Sequence, residues 1–105
     1  MVYTQSYTVA ELQIIREVEA HIAKSGTAYS AWYAGIATDP RARLFSDHNV
    51  SEDNGWWIYR DCGTDTSSRR IEDYFLAKGC KGGPGGGDST TRYFYAYRIT
   101  ASTRE

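Results

Sequence analysis

The stretch that most constrains this chain is Tyr93 to Thr100, which reads YFYAYRIT. Aromatic and β-branched residues favour a pleated strand, and strand side chains alternate between faces. Tyr93, Tyr95, Tyr97 and Ile99 therefore share one face, and Phe94, Ala96 and Arg98 share the other. A lone strand is not stable, so partners are needed. Two segments offer themselves. Thr27 to Ala37, TAYSAWYAGIA, is short of helix formers and rich in rings, and Trp56 to Arg60 reads WWIYR. Together the three predict a small, mostly antiparallel three-stranded sheet.

The remaining segments read as helices. Thr8 followed by Glu11 is a capping-box pattern, and Leu12, Ile15, Val18 and Ile22 recur at helical spacing behind it. This predicts a helix from Val9 to about Lys24, ended by Ser25-Gly26. Asp39-Pro40 supplies an N-cap and a first-turn proline for a second, short helix through Arg41 to Asp47. Asn49 to Gly55 is polar and turn-prone. Asp65, Thr66 or Ser67 caps a third helix through Ile71, Tyr74 and Phe75, which ends at Lys78 with Gly79 behind it. Helix and strand alternate three times without an internal repeat. The expected class is α/β of the α+β type, a three-stranded sheet flanked by three helices in one domain spanning residues 1–105.

Composition narrows the function classes. With 105 residues there is room for one hydrophobic core and therefore one principal site. Nine of the fifteen aromatic residues are tyrosines, which pack a ring while the hydroxyl reaches water or a phosphate oxygen. No apolar run approaches the roughly 20 residues that span a bilayer, so no membrane association is expected. Cys62 and Cys80 lack metal-ligand spacing and no secretory segment precedes them, which suggests a cytoplasmic protein with reduced thiols, although one disulfide between them stays open. The net charge is −1, which disfavours non-specific binding to nucleic acid unless charge is segregated. Nine of the twelve cations are arginines, and Arg41, Arg43, Arg60, Arg69 and Arg70 lie mid-chain, where the planar fork of each suits phosphate.

Between the third helix and the last strand runs KGGPGGGD, with five glycines in the six positions from Gly82 to Gly87. No Gly-Lys-Ser/Thr follows, and the next element is a strand rather than a helix, so neither a P-loop nor a dinucleotide fingerprint is present. The loop is either a mobile connection or a place where backbone approaches a partner closely.

Tyr33-Ala34-Gly35-Ile36, then Asp39-Pro40-Arg41-Ala42-Arg43-Leu44, then His48-Asn49 place a Tyr-x-Gly strand ahead of a turn and a helix carrying Arg and His. Arg70-Ile71-Glu72 lies in the third helix. In this order the elements resemble the second half of the GIY-YIG nuclease signature, over Ala31 to Leu76. The resemblance implies a metal-dependent nuclease with Tyr33, Arg43, His48 and Glu72 as catalytic residues and Glu72 as the anchor for Mg²⁺ or Mn²⁺. Gly35, Arg41, Arg69, Arg70 and the outward ring of the Trp56-Trp57 pair, Trp57 among them, are the expected substrate contacts. Two departures stand out. No Gly-Ile-Tyr strand precedes the Tyr-x-Gly strand, Tyr29 being the nearest tyrosine, and His48 lies five residues past Arg43 rather than one helical turn, which rotates it away.

The chemistry needs few groups. A phosphodiester resists attack by virtue of its charge, so a hydrolase polarises the phosphoryl oxygen with a divalent cation and holds the transition-state charge with a second cation. A hard ion accepts one carboxylate with waters and phosphate completing its shell. Tyr33 or His48 would orient or deprotonate the water. Each residue also has a plainer role: Glu72 pairing with Arg69 across a helical turn, Tyr33 packing in the sheet, His48 at a helix end. Three functions stay open: a nuclease acting on DNA or RNA, a silent scaffold of the same shape that binds a protein, nucleic acid or nucleotide-like anion, and an unrelated α/β interaction domain. A chain of this length suits a small accessory or phage-type protein.

Overall fold

The first helix, α1 (Val9–Ser25), starts where its capping box places it. In the computed structural model, which describes residues 6–83 and 87–105, the Glu11 N–H donates to Thr8 Oγ1 at 3.0 Å and the Thr8 N–H donates to Glu11 Oε1 at 2.9 Å. Ile15, Val18 and Ile22 then fall on the buried stripe. Gly26 ends the helix in the left-handed conformation.

The expected first strand is shorter than its sequence suggests. Tyr29–Ala31 forms a 3-10 turn, closed by Ala31 N–H onto the Ala28 carbonyl at 3.0 Å, and β1 covers only Trp32–Ala37. The small residues Ala28, Ser30 and Ala31 give that stretch little to pack in a pleat. The Trp32 indole also donates to Thr27 Oγ1 at 2.9 Å, which holds the chain back toward α1. The second strand, β2 (Trp57–Asp61), the third helix, α2 (Asp65–Lys78), and the last strand, β3 (Tyr93–Arg98), follow within a residue or two of expectation. Thr64 caps α2 through Ser67 N–H at 3.1 Å, and Gly79 ends it left-handed.

The sheet has the order β1-β3-β2, both pairings antiparallel, so the C-terminal strand is central. This is the expected three-stranded α+β architecture. One side of the sheet, with Trp32, Ala34, Ile58, Phe94 and Ala96, packs on α1 and α2 through Val18, Ile71 and Phe75. The other side, with Tyr33, Tyr95 and Tyr97, is closed by Leu44 and Val50. The outer edge of β1 is covered where Lys81 bridges in parallel to Tyr33, Lys81 N–H donating to the Trp32 carbonyl and Ala34 N–H to the Lys81 carbonyl, both at 2.8 Å. A Cβ on Gly82 would lie 2.8 Å from the Ala34 carbonyl oxygen, so the glycine run approaches β1 closely at its start. Pro84, Gly85 and Gly86 lie outside the described residues.

The second helix departs from expectation. After Pro40 and Arg41 the chain opens into a π-helix over Ala42–Asp47, in which the His48 N–H donates to the Arg43 carbonyl at 2.9 Å. In an α-helix, at about 3.6 residues per turn, a residue five positions past Arg43 points elsewhere. Bonding from i to i+5 widens the turn and changes where the next side chain points. His48 thus turns inward, 4% exposed, and not out to solvent as a helix-end residue. Among the described residues no helix is long and apolar enough to cross a membrane, and both cysteines are free thiols.

Candidate functional site

A cavity of about 340 Å³ opens on the tyrosine side of the sheet, and it is built from the C-terminal end of β1, the start of the second helix, α2 and the loop before β3. Tyr33, Gly35, Arg43 and Glu72 all line it, with Tyr95 from the central strand. Residues 33, 43 and 72 come from a strand, a helix and a second helix, and the fold brings their side chains to one place.

Each group has a defined environment. The Tyr33 ring stacks on Tyr97 at 5.2 Å and lies 4.7 Å from the His48 ring, while its hydroxyl accepts from Gly83 N–H at 3.2 Å. Arg43 is half-exposed, with Nε 3.4 Å from Asp47 Oδ2 one turn on. Glu72 is only 6% exposed. Burial pushes its carboxyl up to about 7, the neighbouring Asp73 adds to the rise, and the positive charge of Arg69 opposes it. An apolar helix face cannot use such a carboxylate for packing, and its cost is of the kind that functional groups carry.

Tyr95 is the residue that the sequence reading missed. It faces Gly35 across the β1–β3 ladder, and a Cβ at Gly35 would fall 2.5 Å from the Tyr95 hydroxyl. Gly35 is therefore the space into which a phenol is laid, which gives the glycine of the Tyr-x-Gly element a physical reason. Burial pushes the Tyr95 hydroxyl up to about 12, against the pull of the nearby Arg43 guanidinium. The sequence signal was the pairing of a bare glycine with a tyrosine-bearing strand, and strand order concealed it. Tyr29, the nearest tyrosine to the missing first element, instead packs on Phe75 at 6.3 Å on the opposite side of the sheet.

His48 lies behind this tyrosine rather than on the cavity wall. Its Nδ1 is 2.6 Å from the Arg104 carbonyl, an oxygen that only accepts, so Nδ1 carries the proton. Nε2 is then the acceptor for the Tyr95 hydroxyl at 2.8 Å. The Tyr97 hydroxyl stands 2.9 Å from Nδ1 and donates to Glu105 Oε2 at 3.0 Å. The Tyr95 proton is thus directed inward to His48, and the phenol oxygen turns its remaining lone pair to the cavity.

The other expected substrate contacts are held elsewhere. Arg70 lies 3.2 Å from the buried Glu11 and reaches the Ser6 carbonyl, with its guanidinium 5.0 Å from the Tyr7 ring centre, so it ties α2 to α1. Arg41 pairs with Glu52 and lies over the Phe45 ring. Arg69 acts on Glu72 through its charge and is not part of the cavity wall. The Trp57 ring is stacked on Tyr59 at 6.0 Å with Nε1–H donating to the Glu52 carbonyl at 3.0 Å, away from the cavity. Trp56 is the more exposed of the pair and meets His21 edge-on. Among the described residues no three His, Cys, Asp or Glu side chains gather into a metal-binding group, so Glu72 would be a cation's single strong protein ligand, with Asp39 and Asp88 on the cavity rim. No family model, no curated protein and no solved structure matches this chain.

Proposed function

We propose that the chain is a metal-dependent phosphodiesterase acting on nucleic acid, on a GIY-YIG-like scaffold whose first strand element is supplied by the C-terminal strand β3. The observation that carries this reading is the convergence of Tyr33, Arg43, Glu72 and Tyr95 on one cavity around Gly35. It brings together three of the four residues that the motif order selects, with His48 behind them, and it adds a phenol on the strand that pairs with the Tyr-x-Gly strand.

A buried carboxylate at the wall of the cavity fits one hard divalent cation, Mg²⁺ or Mn²⁺, with water and phosphate oxygens as its other ligands. Such an ion, when bound, supplies Lewis-acid stabilisation of the phosphoryl oxygens. Arg43 holds the scissile phosphate from the solvent side and balances the charge that develops on it. Tyr33 directs its hydroxyl hydrogen bond to a phosphate oxygen, and solvent protonates the oxygen that leaves phosphorus as the entering water attacks. The Tyr95 oxygen accepts a hydrogen bond from that water, and the Tyr95 proton has His48 Nε2 to receive it. His48 is a positioning residue here, acting through Tyr95.

A second reading, in which the cavity binds nucleic acid without cutting it, is favoured by one observation: a carboxyl raised to about 7 is partly protonated at neutral pH, and a protonated carboxyl is a poor cation ligand. The two readings separate on incubation with supercoiled plasmid and single-stranded substrates in Mg²⁺ or Mn²⁺. Cleavage by the wild-type protein that is lost in both Arg43→Ala and Glu72→Ala supports the nuclease. Retained nucleic-acid binding without cleavage in all three proteins supports the silent scaffold.

A further inference from the structure

Beside the cavity lies a second hollow, also of about 340 Å³, walled by Pro40, Arg41, Tyr59 and Tyr93. The two share Thr38 and Asp39 as a common rim. We infer that this hollow is a base subsite, which receives the nucleobase of an unpaired nucleotide adjoining the phosphate held at Arg43. The inference rests on the nucleic-acid reading of the main cavity and specifies the substrate for it.

Geometry and charge both select a base. Tyr59 faces Tyr95 across the β2–β3 ladder, and neighbouring strands are about 4.8 Å apart, so the subsite is within one nucleotide's reach of the phenol in the main cavity. Tyr59 and Tyr93 are half-buried with ring centres 6.2 Å apart, and Trp57 continues the aromatic row. Phe45 of the π-helix meets the Trp57 end of this row edge-on at 5.0 Å, and the Tyr59–Tyr93 end opens into the hollow. Both arginines at the hollow are ion-paired, Arg41 with Glu52 and Arg92, which lies over the Tyr93 ring, with Asp61, while the Asp39 carboxylate accepts from Ala42 N–H at 3.1 Å and keeps its charge. A ring-lined hollow whose arginines are already paired and whose rim carries the Asp39 carboxylate does not favour phosphate, yet it suits a flat heterocycle whose amino groups meet Asp39 and Thr38. A base inside a duplex is stacked and paired, so the substrate presents a single strand, a flap or an extruded nucleotide.

The test is fluorescence anisotropy in Ca²⁺ with a short labelled single-stranded oligonucleotide, the same oligonucleotide made abasic, and a blunt duplex. Tyr59→Ala should weaken binding of the intact single strand roughly 5- to 150-fold, the range that base–aromatic stacking supports, and leave the abasic strand and the duplex unchanged. Tyr59→Phe, which keeps ring and fold, should bind within about twofold of wild type, and Tyr59→Leu, apolar but without a π-face, should resemble Tyr59→Ala. Equal binding of the intact strand by wild type, Tyr59→Ala and Tyr59→Leu, with Arg43→Ala still weakening it, overturns the subsite and leaves the proposed function standing. If the wild-type protein binds none of the three probes, the nucleic-acid reading itself falls, and the subsite with it.

Discussion

The two sides of the sheet are made by alternate residues of the same three strands, yet they are built to different specifications. The side facing α1 and α2 is mainly apolar: Trp32, Ala34, Phe94, Ala96 and Phe75 are buried, the Trp32 indole donates to Thr27, and the imidazole of His21 meets Trp32 edge-on with its Nε2 unpartnered among the described residues. On the reverse side the central strand presents a tyrosine at every second position, Tyr93, Tyr95 and Tyr97, flanked by Tyr33, Gly35 and Ala37 of β1 and by Trp57 and Tyr59 of β2. Its interior holds an imidazole, three phenols and, at the rim, a carboxyl pushed up to about 7. The first side supplies free energy of folding through apolar burial, while the second spends some of it on ordered polar groups. Period-two alternation lets a chain of 105 residues keep both without compromise to either.

The comparison implies a graded set of outcomes. The largest belongs to the apolar side: Phe94→Ala, at 0% exposure, should cost about 3–5 kcal/mol, read as a lower urea midpoint, enough to leave a domain of ordinary stability largely unfolded when warmed. The next has the opposite sign. Glu72→Gln should raise stability by about 1–3 kcal/mol at pH 8, because it removes a buried charge. A carboxyl whose folded value lies near 7, above its ordinary 4.5, favours folding below 4.5 and loses that contribution as the pH rises through 7. The advantage of the glutamine should therefore shrink to nothing near pH 4, and a pH-independent difference in urea midpoint would contradict it.

Of similar size and opposite sign is Tyr95→Phe, which leaves His48 Nε2 without its donor and should cost about 1–3 kcal/mol while reducing cleavage at least tenfold. Gly35→Ala should act on the same phenol by displacement, with a stability loss of about 1–3 kcal/mol, since the new methyl meets the Tyr95 ring end at 2.5 Å. A variant at Gly35 with wild-type activity would show that the Tyr95 position does not matter. The smallest effect is at the surface. Arg60→Ala, which breaks a pair with Glu17 at 2.7 Å between side chains about 40% exposed, should lower the urea midpoint only slightly, and the difference should vanish in high salt.

Local signals carried much of the fold. Thr8 and Glu11 announced α1, Asp39-Pro40 announced the second helix, and ring alternation announced β3, since each rests on a few neighbouring residues. What the residues could not disclose was non-local. Nothing in YFYAYRIT says that it lies between the other two strands, so the tyrosine that enters the site looked like packing. The His48 spacing was read on an α-helix, whereas the i→i+5 bond from His48 to Arg43 belongs to a π-helix, and the ring turns inward behind Tyr95, off the cavity wall. Arg70 looked like a phosphate ligand because its partner Glu11 is fifty-nine residues away. Contacts of that separation are set by packing, and no spacing rule reaches them.

The most direct test of a shared working cavity uses one variant and two readouts, the stability of Glu72→Gln at pH 8 and its single-turnover cleavage of a single-stranded substrate in Mn²⁺. A protein that is more stable than wild type but cleaves at least a hundredfold more slowly is the expected result. A glutamine variant that cuts as fast as wild type would show that the buried carboxyl takes no part in the chemistry, and the account of the cavity would fail.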